Sequence, residues 1–222
     1  MTEAMRPLLY GAHYSVYVRI VRLALMEKGI AYDSQEVDVF APGGPPADYV
    51  RLHPFARIPA LVQGDFALYE TTAITRYLDE AFTGIRLQPL DARSRARMTQ
   101  IISIADNYLY RPLVWGIYVA RDDAAKTSAP LDQAALDEAI AKSRLALSAL
   151  AGLCSEGPWL LGEALSLADL HLAPMIAYGC VTDEGRTLLR EQPLLSAWWS
   201  RMAGRASIIA TRVAAEKEPL GP

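Results

Sequence analysis

Phe55-Ala-Arg-Ile-Pro-Ala-Leu-Val-Gln-Gly-Asp-Phe-Ala-Leu-Tyr-Glu70 is the stretch that decides the architecture of the first part of this chain. Pro59 stands immediately before an apolar run, the strand position that tolerates a missing N–H. Gln63-Gly64-Asp65 then has the composition of a hairpin turn, and residues 66–69 bring the chain back. The next segment, Glu70 to Phe82, predicts a helix with its polar and acidic residues first and Thr83-Gly84 at its end. Upstream, Leu8-Leu9-Tyr10 is a short strand candidate ending at Gly11. Residues 16–28 are apolar on all but one stripe, which predicts a buried helix, and Gly29 supplies the left-handed residue that stops it. Val37 and Val39 mark a further strand, and Ala41-Pro-Gly-Gly-Pro-Pro46 is loop. In order this is β-α-β, loop, β-β-α.

Downstream the texture changes. Everything after about residue 90 carries helical periodicity, with helices expected near 92–121, 132–152, 166–178, 185–190 and 194–213. The change predicts two domains, residues 1–83 of α/β type and residues 92–222 all-helical, joined by a short connector containing Pro89. Ser166-Leu-Ala-Asp169 before an apolar run has the form of a capping box, with a structural role, and Pro174 is expected to bend the helix that follows.

The chain has 222 residues, with 22 Lys plus Arg against 25 Asp plus Glu and a formal charge of −3, without a basic arm, so nucleic acid is not an expected partner. Apolar residues at 52% and charged residues at 21% describe a chain that folds. Met1 to Pro7 carries an acid where a signal peptide wants bases, and Leu113 to Ala120 falls far short of the roughly 20 apolar residues that cross a bilayer. Two cysteines, Cys154 and Cys180, without a CxxC pair, fit a reducing cytoplasm. GxGxxG, GxxxxGK[ST], HExxH and GxSxG are all missing, which removes dinucleotide, P-loop, zinc-protease and hydrolase chemistries. His13, His53 and His171 are scattered and read as structural.

What remains is the turn Ala12-His13-Tyr14-Ser15-Val16-Tyr17 between the first strand and the first helix. A hydroxyl there stands beside backbone N–H groups without intrahelical partners, at the positive end of the helix dipole, a place that favours an anion. Two uses fit Ser15. It is an ordinary N-cap, or it donates to a bound thiolate and lowers the thiol's pKa from about 8.5. Pro59, if cis, would expose the N–H and C=O of Ile58 to a peptide-like ligand. Glu70-Thr71 at a helix start offers a carboxylate to an ammonium group, and a hydroxyl with N–H groups to a carboxylate. Together they suit the two charged ends of an amino acid, although helix-terminal charge complementarity and capping explain the same pair.

Leu-Tyr-Gly11, Ser15 with Arg22-Leu-Ala-Leu-Met-Glu-Lys-Gly29, His53-Pro-Phe-Ala-Arg-Ile-Pro-Ala-Leu61, Leu68-Tyr-Glu-Thr-Thr-Ala-Ile-Thr-Arg-Tyr-Leu78, Leu165-Ser-Leu-Ala-Asp-Leu170 and Trp198-Trp199, in this order, resemble the glutathione S-transferase superfamily. The likeness is nearest to its serine-type classes, especially phi-like bacterial forms. It implies a thioredoxin-like N-terminal domain with a mixed four-stranded sheet, an all-helical C-terminal domain, glutathione as cosubstrate, no metal, and a homodimer. It further implies that Ser15 stabilises the glutathione thiolate, that Ile58, before a cis Pro59, pairs its backbone with the cysteinyl unit, that Glu70-Thr71 holds the γ-glutamyl end, and that Arg57 reaches glutathione. The chain departs from the pattern at His53-Pro-Phe-Ala56, where Asn-Pro-Phe-Gly is common, at Ser15-Val16 in place of Ser-Pro, and at Gly44-Pro45, where phi-like enzymes carry a His-Lys pair for the glycyl carboxylate. Other classes use a tyrosine, which makes Tyr14 the alternative to Ser15. No cysteine occupies the turn, which argues against thiol exchange by the protein itself.

The second substrate is expected between the domains, near Tyr14 and against the first long C-terminal helix. There Tyr108, Arg111, Trp115 and Tyr118, at spacings of 3, 4 and 3, would share an aromatic face with one cation. Packing explains such a stripe equally well. A pocket of this kind would take a flat or apolar electrophile. The expected activity is transfer of the glutathione thiolate to a hydrophobic electrophile or a peroxide. An isomerase or reductive-cleavage reaction within the superfamily, and a non-catalytic binding or regulatory protein with the same fold, are the alternatives.

Overall fold

The computed structural model describes residues 6–217, so most of the amino-terminal stretch that bears on targeting lies outside the described residues. The chain divides into two compact units, Met1–Arg86 and Leu87–Pro222. Among the described residues no helix is long and apolar enough to cross a membrane.

The first unit runs β1 (Leu8–Tyr10), α1 (Val16–Glu27), β2 (Asp33–Gln35), α2 (Ala47–Leu52), β3 (Ala60–Gln63), β4 (Phe66–Tyr69) and α3 (Thr71–Ala81). Its four strands form one mixed sheet in the order β2-β1-β3-β4, with β1 parallel to β2 and antiparallel to β3. The expected hairpin joins β3 to β4, and Gly64 takes φ +63 at its turn. Helix α1 buries Val16, Val18, Ile20, Val21, Leu23, Ala24 and Leu25, and packs against α3. It ends at Lys28, with Gly29 at φ +67 as the sequence predicts. Lys28 is itself buried. Its Nζ donates to Asp79 Oδ1 at 3.1 Å and to the carbonyl of Ile85 at 2.9 Å, so the ends of α1 and α3 are tied by a desolvated but well-partnered ion pair.

The expected strand at Val37 and Val39 is corrected: the strand is Asp33–Gln35, entirely exposed and polar. A sheet-edge strand is held by main-chain hydrogen bonds to Leu8–Tyr10, which need no apolar side chains, whereas Val37 turns into the core from the following loop.

Among the described residues, the regular elements of the second unit are all helical. Helix α4 (Ala92–Ile104) continues without a break into a π-helical segment, Ala105–Val119, and then α5 (Ala120–Thr127). After it come α6 (Gln133–Ala151), α7 (Leu167–Gly179), α8 (Asp183–Arg190), α9 (Pro193–Met202), α10 (Ala206–Ala210) and a 3₁₀ turn, Ala214–Glu216. The single helix expected over 194–213 is thus two, separated at 203–205. Every residue of α7 is buried, Pro174 included, and the helix runs on through that proline. A helix apolar on all sides is a core helix, and the unit is built around this one. The expected capping box forms at its start: Asp169 accepts from Ser166 N–H at 2.8 Å and from Ser166 Oγ at 2.7 Å. The same carboxylate also takes Leu160 N–H at 2.9 Å and the Trp198 indole N–H at 2.8 Å.

Candidate functional site

Strand register brings the singled-out residues of the first unit together. Tyr10 pairs with Ala60, and Ala60 with Tyr69, so the end of β1, the start of β3 and the end of β4 form one row across the sheet. The segments that leave this row carry Gly11 to Ser15, Pro59 with Ile58 and Arg57, and Glu70 with Thr71. Two helices, α1 and α3, start there, which brings the N-terminal N–H groups of both to this end of the sheet. Gly11, at φ +151, makes the approach possible: a Cβ at that position would stand 2.3 Å from Val18 Cγ2 and 3.4 Å from Ile58 Cβ.

Ser15 is the N-cap of α1, in extended conformation, and its Oγ accepts from Val18 N–H at 3.3 Å. That bond occupies a lone pair and leaves the O–H available to donate, so the two uses of Ser15 are compatible. Tyr14 is placed differently. Its Oη donates to Asp38 Oδ1 at 2.6 Å, and its ring lies 5.7 Å from that of Phe40. Burial and the Asp38 carboxylate push the Tyr14 phenol well above 10, while the Tyr14 hydroxyl and the Phe40 N–H hold Asp38 below the ordinary carboxylate range. The Tyr14 proton is already committed.

The Ile58–Pro59 peptide is cis. Pairing in β3 starts at Ala60, which leaves Ile58 outside the ladder; its side chain is buried while Arg57 is exposed. Glu70, not Thr71, caps α3, and it does so at φ +72. A non-glycine residue held in the left-handed region is uncommon and clusters at ligand sites. Its carboxylate is exposed, and Thr71 behind it is buried as the first helical residue.

Two residues of the neighbourhood were not among the expected site residues. His53 is buried, its ring 4.7 Å from Tyr69, and its Nδ1 is unpartnered. Burial lowers its pKa below the ordinary imidazole value; the charge of Glu70 works against the shift and that of Arg57 adds to it. Tyr49, one helical turn earlier on α2, is buried as well and donates its Oη to the carbonyl of Arg57 at 2.5 Å. The i, i+4 spacing was visible in the sequence, but not what it faced.

In the second unit the proposed stripe does not hold as one face. Tyr108 is 66% exposed, and the Arg111 guanidinium lies 5.7 Å over the ring of the half-buried Trp115, whose Nε1 donates to Tyr110 Oη at 2.9 Å. Tyr118, by contrast, is buried against Tyr178 at 4.7 Å and belongs to the core. The cause is the π-helical winding of 105–119: i→i+5 bonding widens the turn, so spacings of 3, 4 and 3 no longer return to one side. Burial pushes the thiols of Cys154 and Cys180 up to about 11 and about 12, which leaves both protonated near neutral pH.

Residues 14–81 match the family model for the glutathione S-transferase N-terminal domain, and residues 107–206 the model for its C-terminal domain. The chain is 31% identical over 192 residues to glutathione S-transferase F14 of Arabidopsis thaliana, covering 84% of this chain and 75% of that protein. It is also 28% identical over 170 residues to a stringent starvation protein A homolog of Pasteurella multocida, covering 76% and 72%. Among solved structures, glutathione transferase F7 from Populus trichocarpa superposes with a TM-score of 0.79 at 28% identity, covering 92% of this chain and 97% of that one.

Proposed function

The chain belongs to the glutathione S-transferase family, and with that membership as premise we propose how its own residues carry out glutathione transfer. The protein is a glutathione transferase with glutathione as cosubstrate. In the proposed reaction the Ser15 hydroxyl, unspent by its capping bond, donates to the glutathione sulfur. The N-terminus of α1 adds its partial positive charge, the thiol proton leaves to solvent, and the thiolate persists at neutral pH. Ile58 pairs its main chain with the cysteinyl unit beside Pro59, Arg57 reaches the ligand with its guanidinium, Glu70 takes the ammonium of the γ-glutamyl end, and Thr71 with the first N–H groups of α3 takes that end's carboxylate. The sulfur then attacks an electrophilic carbon and displaces its leaving group, or attacks a peroxide oxygen and breaks the O–O bond. Holding the nucleophile in place supplies rate alongside thiolate stabilisation.

The observation that carries this assignment is the row Tyr10, Ala60, Tyr69, which delivers the three segments and two helix N-termini to one sheet end. We further propose a serine-type, phi-like enzyme, homodimeric and cytoplasmic. Its cosubstrate would be a hydrophobic electrophile or a peroxide. The non-catalytic alternative is not favoured, since Ser15, Pro59 and Glu70-Thr71 are all present.

Retention on immobilised glutathione, followed by turnover of a generic aryl halide, tests the activity. Folded protein that neither binds nor turns over would refute it. A Ser15→Ala variant with full conjugating activity would remove Ser15 from the catalytic role.

A further inference from the structure

The strap of residues 53–59 carries Arg57 and Ile58, and it lies outside the ladder that begins at Ala60. Something other than sheet pairing must set its orientation. Tyr49 on α2 reaches it from behind. The Tyr49 side chain is buried, its ring lies 5.9 Å from that of Tyr10 on β1 and 6.3 Å from that of His53, and its hydroxyl donates to the Arg57 carbonyl at 2.5 Å. The Arg57 C=O and the Ile58 N–H are two ends of a single planar peptide unit and point in opposite directions. Fixing the oxygen therefore aims the N–H. The phenol is well suited to this, because burial raises its pKa far above neutrality and it remains a donor.

We propose that Tyr49 is a positioning residue for glutathione: by holding the Arg57 carbonyl it orients the Ile58 N–H toward the cysteinyl unit. The inference rests on the assignment of Arg57 and Ile58 to glutathione made above. It assigns Tyr49 no contact with the ligand or with the reacting sulfur, so its loss acts on glutathione binding and spares the chemical step.

The test is steady-state kinetics on four full-length proteins: the wild type, Tyr49→Phe, Arg57→Ala and Tyr77→Phe. Tyr77 serves as the control because its hydroxyl bonds Gln63 Oε1 in the same unit at 2.5 Å, away from the strap. For Tyr49→Phe the expected result is a rise of about fivefold in the KM for glutathione, the effect of one neutral hydrogen bond, with kcat and the KM for the electrophile within about twofold of wild type. Tyr77→Phe leaves all three unchanged. A normal glutathione KM in Tyr49→Phe, with a raised one in Arg57→Ala, overturns the role of Tyr49 and leaves the glutathione site standing. If neither variant moves that KM, the site assignment fails and the inference fails with it. Equal losses in kcat and KM shared by Tyr49→Phe and Tyr77→Phe would show general loosening of the unit and also overturn the proposal.

Discussion

Ser15 caps α1 and Ser166 caps α7, yet the two helix starts are used in opposite ways. Ser166 is 3% exposed and bonded to Asp169, whose carboxylate also holds the Leu160 N–H and the Trp198 indole. That network consumes the polar groups it contains, and it packs α9 and the loop before α7 onto the core helix. At Ser15 one bond is made, from Val18 N–H, and a donor remains on a half-buried hydroxyl beside the sheet end. The same capping residue thus closes a structural network in one place and keeps a donor for the proposed glutathione site in the other. What separates them is the hydrogen-bonding capacity left over.

The sharpest way to break this comparison is Asp169→Ala. It leaves two main-chain N–H groups and an indole N–H without their buried acceptor, so a loss of about 3–5 kcal/mol is expected in urea unfolding, with turnover per folded molecule unchanged. A loss below about 1 kcal/mol would mean that the network is not the anchor of α7. The mirror experiment is Ser15→Ala, where stability should fall by about 1 kcal/mol or less while kcat/KM for glutathione conjugation falls roughly 10- to 100-fold. Equal losses in Asp169→Ala and Ser15→Ala, in stability or in activity, would erase the distinction.

Much of this was legible in local sequence. The hairpin at Gly64, the stop of α1 at Gly29, the Ser166–Asp169 box and the position of Ser15 depend on residues close together in the chain. The edge strand Asp33–Gln35 was not legible, because main-chain pairing leaves no apolar trace. The inward turn of Tyr118 was hidden by π-helical winding, which amphipathic spacing does not encode. Tyr49 was not singled out for a third reason: its partner is the Arg57 carbonyl on the strap, brought near only by the fold, whereas His53, read as structural, is buried against Tyr69 on β4.

His53 sharpens the contrast on the pH axis. An imidazole held neutral by burial, with a pKa below its unfolded value of about 6.5, resists a proton that the unfolded chain accepts, so stability falls as pH drops through that value. The wild type should lose more stability between pH 7 and 5.5 than His53→Asn, by no more than about 1 kcal/mol, as read from unfolding midpoints at each pH. Identical slopes would exclude His53 as the source.

The smallest expected effect is at Ala56, which sits at φ +50 in the turn below His53. Ala56→Gly removes a left-handed penalty of about 1–2 kcal/mol but adds unfolded-state entropy, for a net gain of about 0.5 kcal/mol in thermal unfolding. A loss there would mean that the Ala56 methyl group packs usefully.

The clasp of Lys28 on Ile85 also bears on where this protein can be divided. Its ammonium relies on a carbonyl from beyond α3, so an N-terminal fragment cut at Ala81 would strand a desolvated cation with part of its shell missing. The shortest excised piece able to close its own electrostatics therefore extends through Ile85, past the last turn of regular structure.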